Sequence, residues 1–328
     1  MSDPTRRRLL AAAAAAPLAS FVTAPALAQA WPARPIRLIV TFAAGGGADF
    51  AGRNVGAVLA QQLGQSVVVE NRAGGGGLIG NEAVAKAAPD GYTLLLGAAG
   101  PLTVAPHLYA KVPYDPVKDL VPVAHIASTP FVLTVNPGIP ANTVAEFTAL
   151  VKSQPGKLTY GSSGTGGAPH LAGELFCRMA GINMVHAPYK GLGPAITDLM
   201  GNHIQVLFAD TGLVLPHIKA GKLKAIAATG AQRTPLLPEV PTVREAGLPA
   251  YQAGSWYGIL APAGTPTDVQ LRINAEMAKA LANPELQKQL GTQGMEPAAM
   301  TREQFAAMWR EDYDKWGKLI KEAGIKVE

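Results

Sequence analysis

Short apolar runs that end in glycine-rich loops and lead into helical periodicity recur along the chain. The first run, residues 36–42, enters the loop Ala43-Ala44-Gly45-Gly46-Gly47-Ala48-Asp49. Beyond it Val55, Val58, Leu59 and Leu63 fall on one helical face. Residues 66–70 read as a second strand, and Pro89-Asp90-Gly91 is a turn into a buried strand over residues 92–96. Residues 121–135 form a long strand-like stretch. Thr143 with Glu146 makes a capping box that opens a helix burying Val144, Phe147, Leu150 and Val151. The pattern then restarts: a strand at residues 158–160, the loop Gly161-Ser162-Ser163-Gly164-Thr165-Gly166-Gly167, and a helix over residues 170–179. Residues 255–260 read as strand. Thr265 as N-cap with Pro266 at the first helical position predicts a helix to Leu281. Thr301 and Gln304 cap the last helix, whose stripe of Phe305, Met308, Trp309, Trp316, Leu319 and Ile320 reads as core. Strand and helix alternating with glycine punctuation predict an α/β fold of parallel sheets covered on both faces.

The first thirty residues break this pattern and read as an export signal. Arg6-Arg7-Arg8 precedes an uncharged, alanine-rich stretch interrupted by Pro17 and Pro25. Ala26-Leu27-Ala28 and Ala28-Gln29-Ala30 have the small-x-small form of a cleavage site. Thr5-Arg6-Arg7-Arg8-Leu9-Leu10 resembles a twin-arginine signal, the ordinary secretory type being the alternative. No later apolar run is long enough to cross a bilayer. The expected mature protein is soluble and periplasmic, and its length of about 300 residues suits two domains.

Cys177 is the only cysteine, so stability rests on packed cores rather than a disulfide. The formal charge of +5 falls to about +3 once Arg6, Arg7, Arg8 and Asp3 leave with the signal, a small excess that favours anionic ligands. No basic run with interleaved aromatics is present, which argues against nucleic acid as a partner.

The two glycine loops carry the candidate chemistry. A loop joining a parallel strand to a helix lies at the carboxyl edge of the sheet, where open α/β folds bind ligands. Glycines let backbone N–H groups converge there, and the helix start adds roughly half a positive charge. Such a site holds an anion without arginine or lysine. Each helix end contributes about 0.3–1 kcal/mol, or about 2 where partly buried, against about 8 kcal/mol for micromolar affinity. Two facing loops and burial of the ligand are therefore needed.

Other chemistries fit less well. Gly75-x-Gly77-x-x-Gly80 has the spacing of a dinucleotide fingerprint, but Asn71-Arg72-Ala73-Gly74 separates it from the strand and no acidic residue follows about twenty positions on. No cofactor is expected. Gly161-Ser162-Ser163-Gly164-Thr165 departs from the G-x-S-x-G elbow at its last position. His107, His125, His170, His186, His203 and His217 are scattered, with no H-E-x-x-H pair, so neither a metal site nor catalysis is expected. His170 either caps or lines the second loop, or is a surface residue.

Several long motifs together resemble the Bordetella uptake gene family, the substrate-binding proteins of tripartite tricarboxylate transporters. They are residues 40–49, Glu70-Asn71-Arg72-Ala73-Gly74-Gly75-Gly76-Gly77, Pro89-Asp90-Gly91-Tyr92-Thr93-Leu94, residues 161–166, His186-Ala187-Pro188-Tyr189-Lys190-Gly191 and residues 260–266. The resemblance runs from Pro35 to the C-terminus. It implies a type II periplasmic-binding-protein fold, two α/β lobes with a ligand cleft between them. Lobe one would comprise residues 31–128 plus 254–328 and lobe two residues 129–253, with crossings near residues 127–134 and 250–256. It implies a small organic acid held, with bound waters, between Phe42, Ala43, Gly45, Gly46, Gly47 and Asp49 on one side and Ser162, Ser163, Gly164, Thr165 and Gly166 on the other. His170 adjoins the second loop, and Tyr189 and Asp210 reach the far end of the ligand. A carboxylate at Asp210 would accept from an amine, a hydroxyl or an amide. Thr41 departs from the family's usual proline; its hydroxyl either adds a donor near the loop or points into solvent. The implied role is a monomeric, non-enzymatic receptor that delivers its ligand to integral membrane transporter subunits. An exported hydrolase-like enzyme and a receptor feeding a sensor are the alternatives.

Overall fold

The computed structural model describes residues 31–325 apart from Ala43 and Lys190. The export signal expected in residues 1–30, and Ala43 of the first loop, lie outside the described residues. Among the described residues ten strands follow in chain order: β1 (Ile36–Val40), β2 (Val67–Asn71), β3 (Thr93–Ala98), β4 (Leu120–Val135), β5 (Thr159–Ser162), β6 (Val185–Pro188), β7 (Val206–Asp210), β8 (Lys224–Ala228), β9 (Gly254–Pro262) and β10 (Glu296–Pro297). They lie in the order β2-β1-β3-β9-β4-β7-β5-β6, with β8 and β10 also paired to β4.

The long β4 joins the two halves of this sheet. Its 16 residues span roughly 50 Å at about 3.3 Å each. Residues 120–130 pair with β9, and residues 131–135 pair with β7 and β8. The expected parallel pairing is found in β2-β1-β3 and in β6-β5-β7. The centre differs: β3 with β9, β9 with β4, and β4 with β7 are antiparallel. A parallel neighbour requires a crossover that returns the chain to the same end, and β9 instead runs back along β4.

Helix starts follow their capping chemistry. Thr301 and Gln304 complete a reciprocal box at the start of the Arg302–Ala323 helix. Thr143 accepts from the Glu146 amide, but the Glu146 carboxylate turns to the Asn142 amide, so only half of that box forms. The helix expected from Thr265 begins at Thr267, because the Thr265 hydroxyl donates to the Pro262 carbonyl and leaves Pro266 at the cap.

Each half of the sheet has its own core. Ile39, Leu95, Leu260, Phe305 and Trp309 pack together in one. Leu133, Phe147, Tyr160, Phe176 and Phe208 pack in another. The last helix contributes Phe305 and Trp309 to the first cluster and Trp316, Leu319 and Ile320 to the second, so it packs on both. Among the described residues no helix is long and apolar enough to cross a membrane.

Candidate functional site

The first glycine loop follows β1 and ends in the Gly47–Leu63 helix. Gly45 sits at φ +85°, a left-handed conformation that glycine tolerates. The loop is braced by Asp49, Arg53 and Asn71. Asp49 Oδ2 accepts from the Gly45 amide at 2.9 Å and from Arg53 Nε at 3.0 Å. Arg53 also reaches the Asn71 side-chain oxygen, and Asn71 donates to the Phe42 carbonyl at 3.0 Å. The Asn71 of the Glu70-Asn71-Arg72 motif is therefore a clamp on the first loop. The Arg53 guanidinium and the Gly45 amide hold the Asp49 carboxyl down at about 2. Asp49 is buried and engaged within its own loop, while residues 44–47 are exposed. Thr41 is buried, so its hydroxyl does not point into solvent. It has no hydrogen-bond partner and faces the third glycine stretch. There a Cβ on Gly77 would stand 2.5 Å from Pro101, and one on Gly80 2.9 Å from the Arg72 carbonyl. Close packing therefore accounts for those glycines.

The second loop follows β5 and ends in the Ala168–Ala180 helix. Ser162 is buried; its hydroxyl donates to the Gly164 carbonyl, accepts from the Gly164 amide and lies 2.7 Å from His186 Nε2. His170 Nδ1 accepts from the Gly166 amide at 3.0 Å, so this histidine caps the loop. The His170 and His186 rings stack at 3.8 Å, beside Tyr160. Burial pushes His170 down to about 4. Burial and the neighbouring His170 do the same to His186. Both rings are neutral near pH 7, which keeps His170 an acceptor. Gly164 and Gly166 have φ of +132° and +77°. Ser163, Gly164 and Gly166 are partly exposed and Thr165 is exposed.

A cavity of ≈ 110 Å³ lies between the start of the Gly47–Leu63 helix and the carboxyl end of β7. One water needs roughly 10–15 Å³ by this measure, so the space suits a compact organic molecule. Gly47 and Asp210 meet there, together with Thr129, Tyr257 and Met295. Asp210 also caps the Thr211–Lys219 helix without using its side chain. Burial raises its carboxyl to about 6. The Tyr257 hydroxyl lies 3.3 Å from where a Cβ on Gly47 would stand. Burial and the Asp210 charge keep that phenol protonated well above its ordinary range. Thr129 is 6 % exposed and its hydroxyl has no partner.

Of the expected site residues, the structure thus brings Gly47 and Asp210 to one cavity. The residues of the second loop do not line it. Tyr189 stands apart: its hydroxyl donates to Asp198 at 2.7 Å and its amide to the Ser162 carbonyl. Tyr257, Thr129 and Met295 are lining residues that the motifs did not mark.

A model of the tripartite tricarboxylate transporter family receptor matches residues 51–325. The chain belongs to that family. The receptor is 37% identical to BugT of Bordetella pertussis over 310 residues, 94% of this chain and 94% of that protein. Among solved structures, a protein of R. palustris with adipate is 34% identical, covers 90% of this chain and 100% of its own, and superposes with a TM-score of 0.78. MatC from Rhodopseudomonas palustris with bound malate is 32% identical, covers 88% and 100%, and gives 0.73. The family is one of substrate-binding receptors rather than enzymes.

Proposed function

We propose that this receptor works in the periplasm, closes two lobes over a small organic acid, and hands it to the integral membrane subunits of a tripartite tricarboxylate transporter. The lobes are residues 31–128 with 254–328, and residues 129–253. The observation that carries this reading is the cavity bounded by Gly47 at a helix start and Asp210 at a strand end. Amides of the exposed residues Ala44, Gly46 and Gly47 take the ligand carboxylate, the Gly45 amide being held by Asp49, and residues 163–166 close on it from the second lobe. Contact with both lobes favours the closed arrangement, since only that arrangement gains both sets of bonds. The adipate and malate named for two relatives support a carboxylate as the ligand class. The receptor acts as a monomer, without a cofactor.

The test is calorimetric titration of the purified protein with a panel of mono-, di- and tricarboxylates and amino acids. Micromolar or tighter binding of at least one organic acid, weakened at least tenfold by Gly47→Val, is expected. Absence of binding across the panel, or binding indifferent to that substitution, overturns the assignment.

A further inference from the structure

Three oxygen-bearing groups converge on the cavity with no hydrogen-bond partner from another described residue. No hydrogen bond or ion pair from another residue reaches the Asp210 carboxylate among the described residues, although the side chain heads a helix it is placed to cap. The Thr129 hydroxyl is buried and unpaired. The Tyr257 hydroxyl, beside Gly47, likewise has no hydrogen-bond partner among them. Among the described residues no lysine, arginine or histidine lines the cavity. An ionised, partly buried carboxylate without a cation is costly, and so is a buried hydroxyl without a partner. A ligand that donates hydrogen bonds relieves both. A second ligand carboxylate placed there meets the like charge of Asp210 with no facing cation among the described residues.

Resting on the receptor reading above, we propose that this cavity selects an organic acid whose far end donates hydrogen bonds, as an ammonium, a primary amide or a hydroxyl does, and discriminates against a second carboxylate. The two ends of the site are then complementary. The helix start at Gly47 favours the ligand's negative end, and Asp210, Tyr257 and Thr129 accept from its other end. Asp210 is a specificity-determining residue in this arrangement. The adipate and malate bound by the two relatives mark the contrast, because this chain is expected to prefer differently ended ligands of similar length.

Calorimetry at pH 7.5 on matched ligands of three, four, five and six carbons tests this. At each length the dicarboxylate is compared with its monoamide and with the ω-amino acid. In the wild-type protein a donor-ended ligand is expected to bind at least tenfold tighter than the dicarboxylate of its length. Asp210→Asn keeps the side-chain shape and is expected to shrink that ratio to threefold or less. Tyr257→Phe is expected to weaken the donor-ended ligand several-fold with the dicarboxylate little changed. Melting temperature guards both variants against misfolding. A wild-type preference for the dicarboxylate, or a tenfold ratio that survives Asp210→Asn, overturns this inference and leaves the receptor reading standing. Failure of every ligand in the series and of the wider panel to bind the wild type overturns both.

Discussion

Gly212, second residue of the Thr211–Lys219 helix, touches the turn at residues 293–294 backbone to backbone. A Cβ on Gly212 would stand 2.7 Å from the Gln293 carbonyl oxygen and 2.8 Å from its carbonyl carbon. On the other side, a Cβ on Gly294 would stand 2.9 Å from the Gly212 amide nitrogen. No side-chain rotation relieves a clash with backbone, so Gly212→Ala must push the two segments apart. Overpacking of this kind costs about 1–3 kcal/mol. Gly291 supplies the control: it lies in the Pro284–Thr292 helix and has nothing within 4 Å of an added Cβ. Alanine at a compatible position stabilises by about 0.4–1 kcal/mol through the unfolded chain, and both variants share that gain. The two are therefore expected to differ by about 1–3 kcal/mol. At about 2–4 °C per kcal/mol for a chain of this order of size, that is roughly 2–12 °C in melting temperature. Differential scanning calorimetry on Gly212→Ala and Gly291→Ala reads it directly. Gln293 and Met295 line the cavity with Leu213, so Gly212→Ala is also expected to weaken ligand binding. Equal melting temperatures for the two alanine variants would refute the contact and the close approach built on it.

Three further outcomes follow from the loops and from one buried carboxyl. Asp49→Ala removes the acceptor of the Gly45 amide and is expected to cost about 1.5–3 kcal/mol at most, less to the extent that solvent reaches Arg53. Asp49→Asn keeps an acceptor and is expected to cost under half as much by urea titration. His170, at about 4, lies below its unfolded value of 6.5, so its contribution is full above pH 6.5 and is lost as pH falls through about 4. Protonation removes the acceptor of the Gly166 amide, so exchange of that amide by NMR, corrected for intrinsic rate, is expected to accelerate below pH 5. Glu296 is raised by burial to about 7, and one of its oxygens is buried without a partner. A raised carboxyl stabilises at low pH and loses that contribution as pH rises through about 7. Glu296→Gln is accordingly expected to raise the melting temperature, relative to wild type, more at pH 8 than at pH 5.

Much of this was legible in the sequence where local chemistry decides the structure. The strand-like stretch at residues 121–135 became β4 with one residue added, and the Thr301–Gln304 box capped the helix it announced. Glycine loops after β1 and β5 were legible because left-handed backbone and converging amides need glycine. The bracing role of Asp49 also had a signal, in its i,i+4 spacing to Arg53. What escaped was non-local. Thr129 and Tyr257 lie far apart in sequence, and the antiparallel pairing of β4 with β9 brings their strand segments side by side. One signal for Tyr257 existed: side chains alternate along a strand, and with Trp256 committed to the core its neighbour had to face the other way. The antiparallel centre of the sheet had no such marker, because short apolar runs read alike in either direction.

The most direct measurement is a crystal structure of the receptor with its tightest-binding organic acid. Ligand carboxylate density against the amides of Gly46 and Gly47, with the other end on Asp210 and Tyr257, is the expected result. Density elsewhere contradicts it, for instance in the ≈ 220 Å³ cavity that Gln252, Asp312 and Lys315 line, with the space between Gly47 and Asp210 left to water.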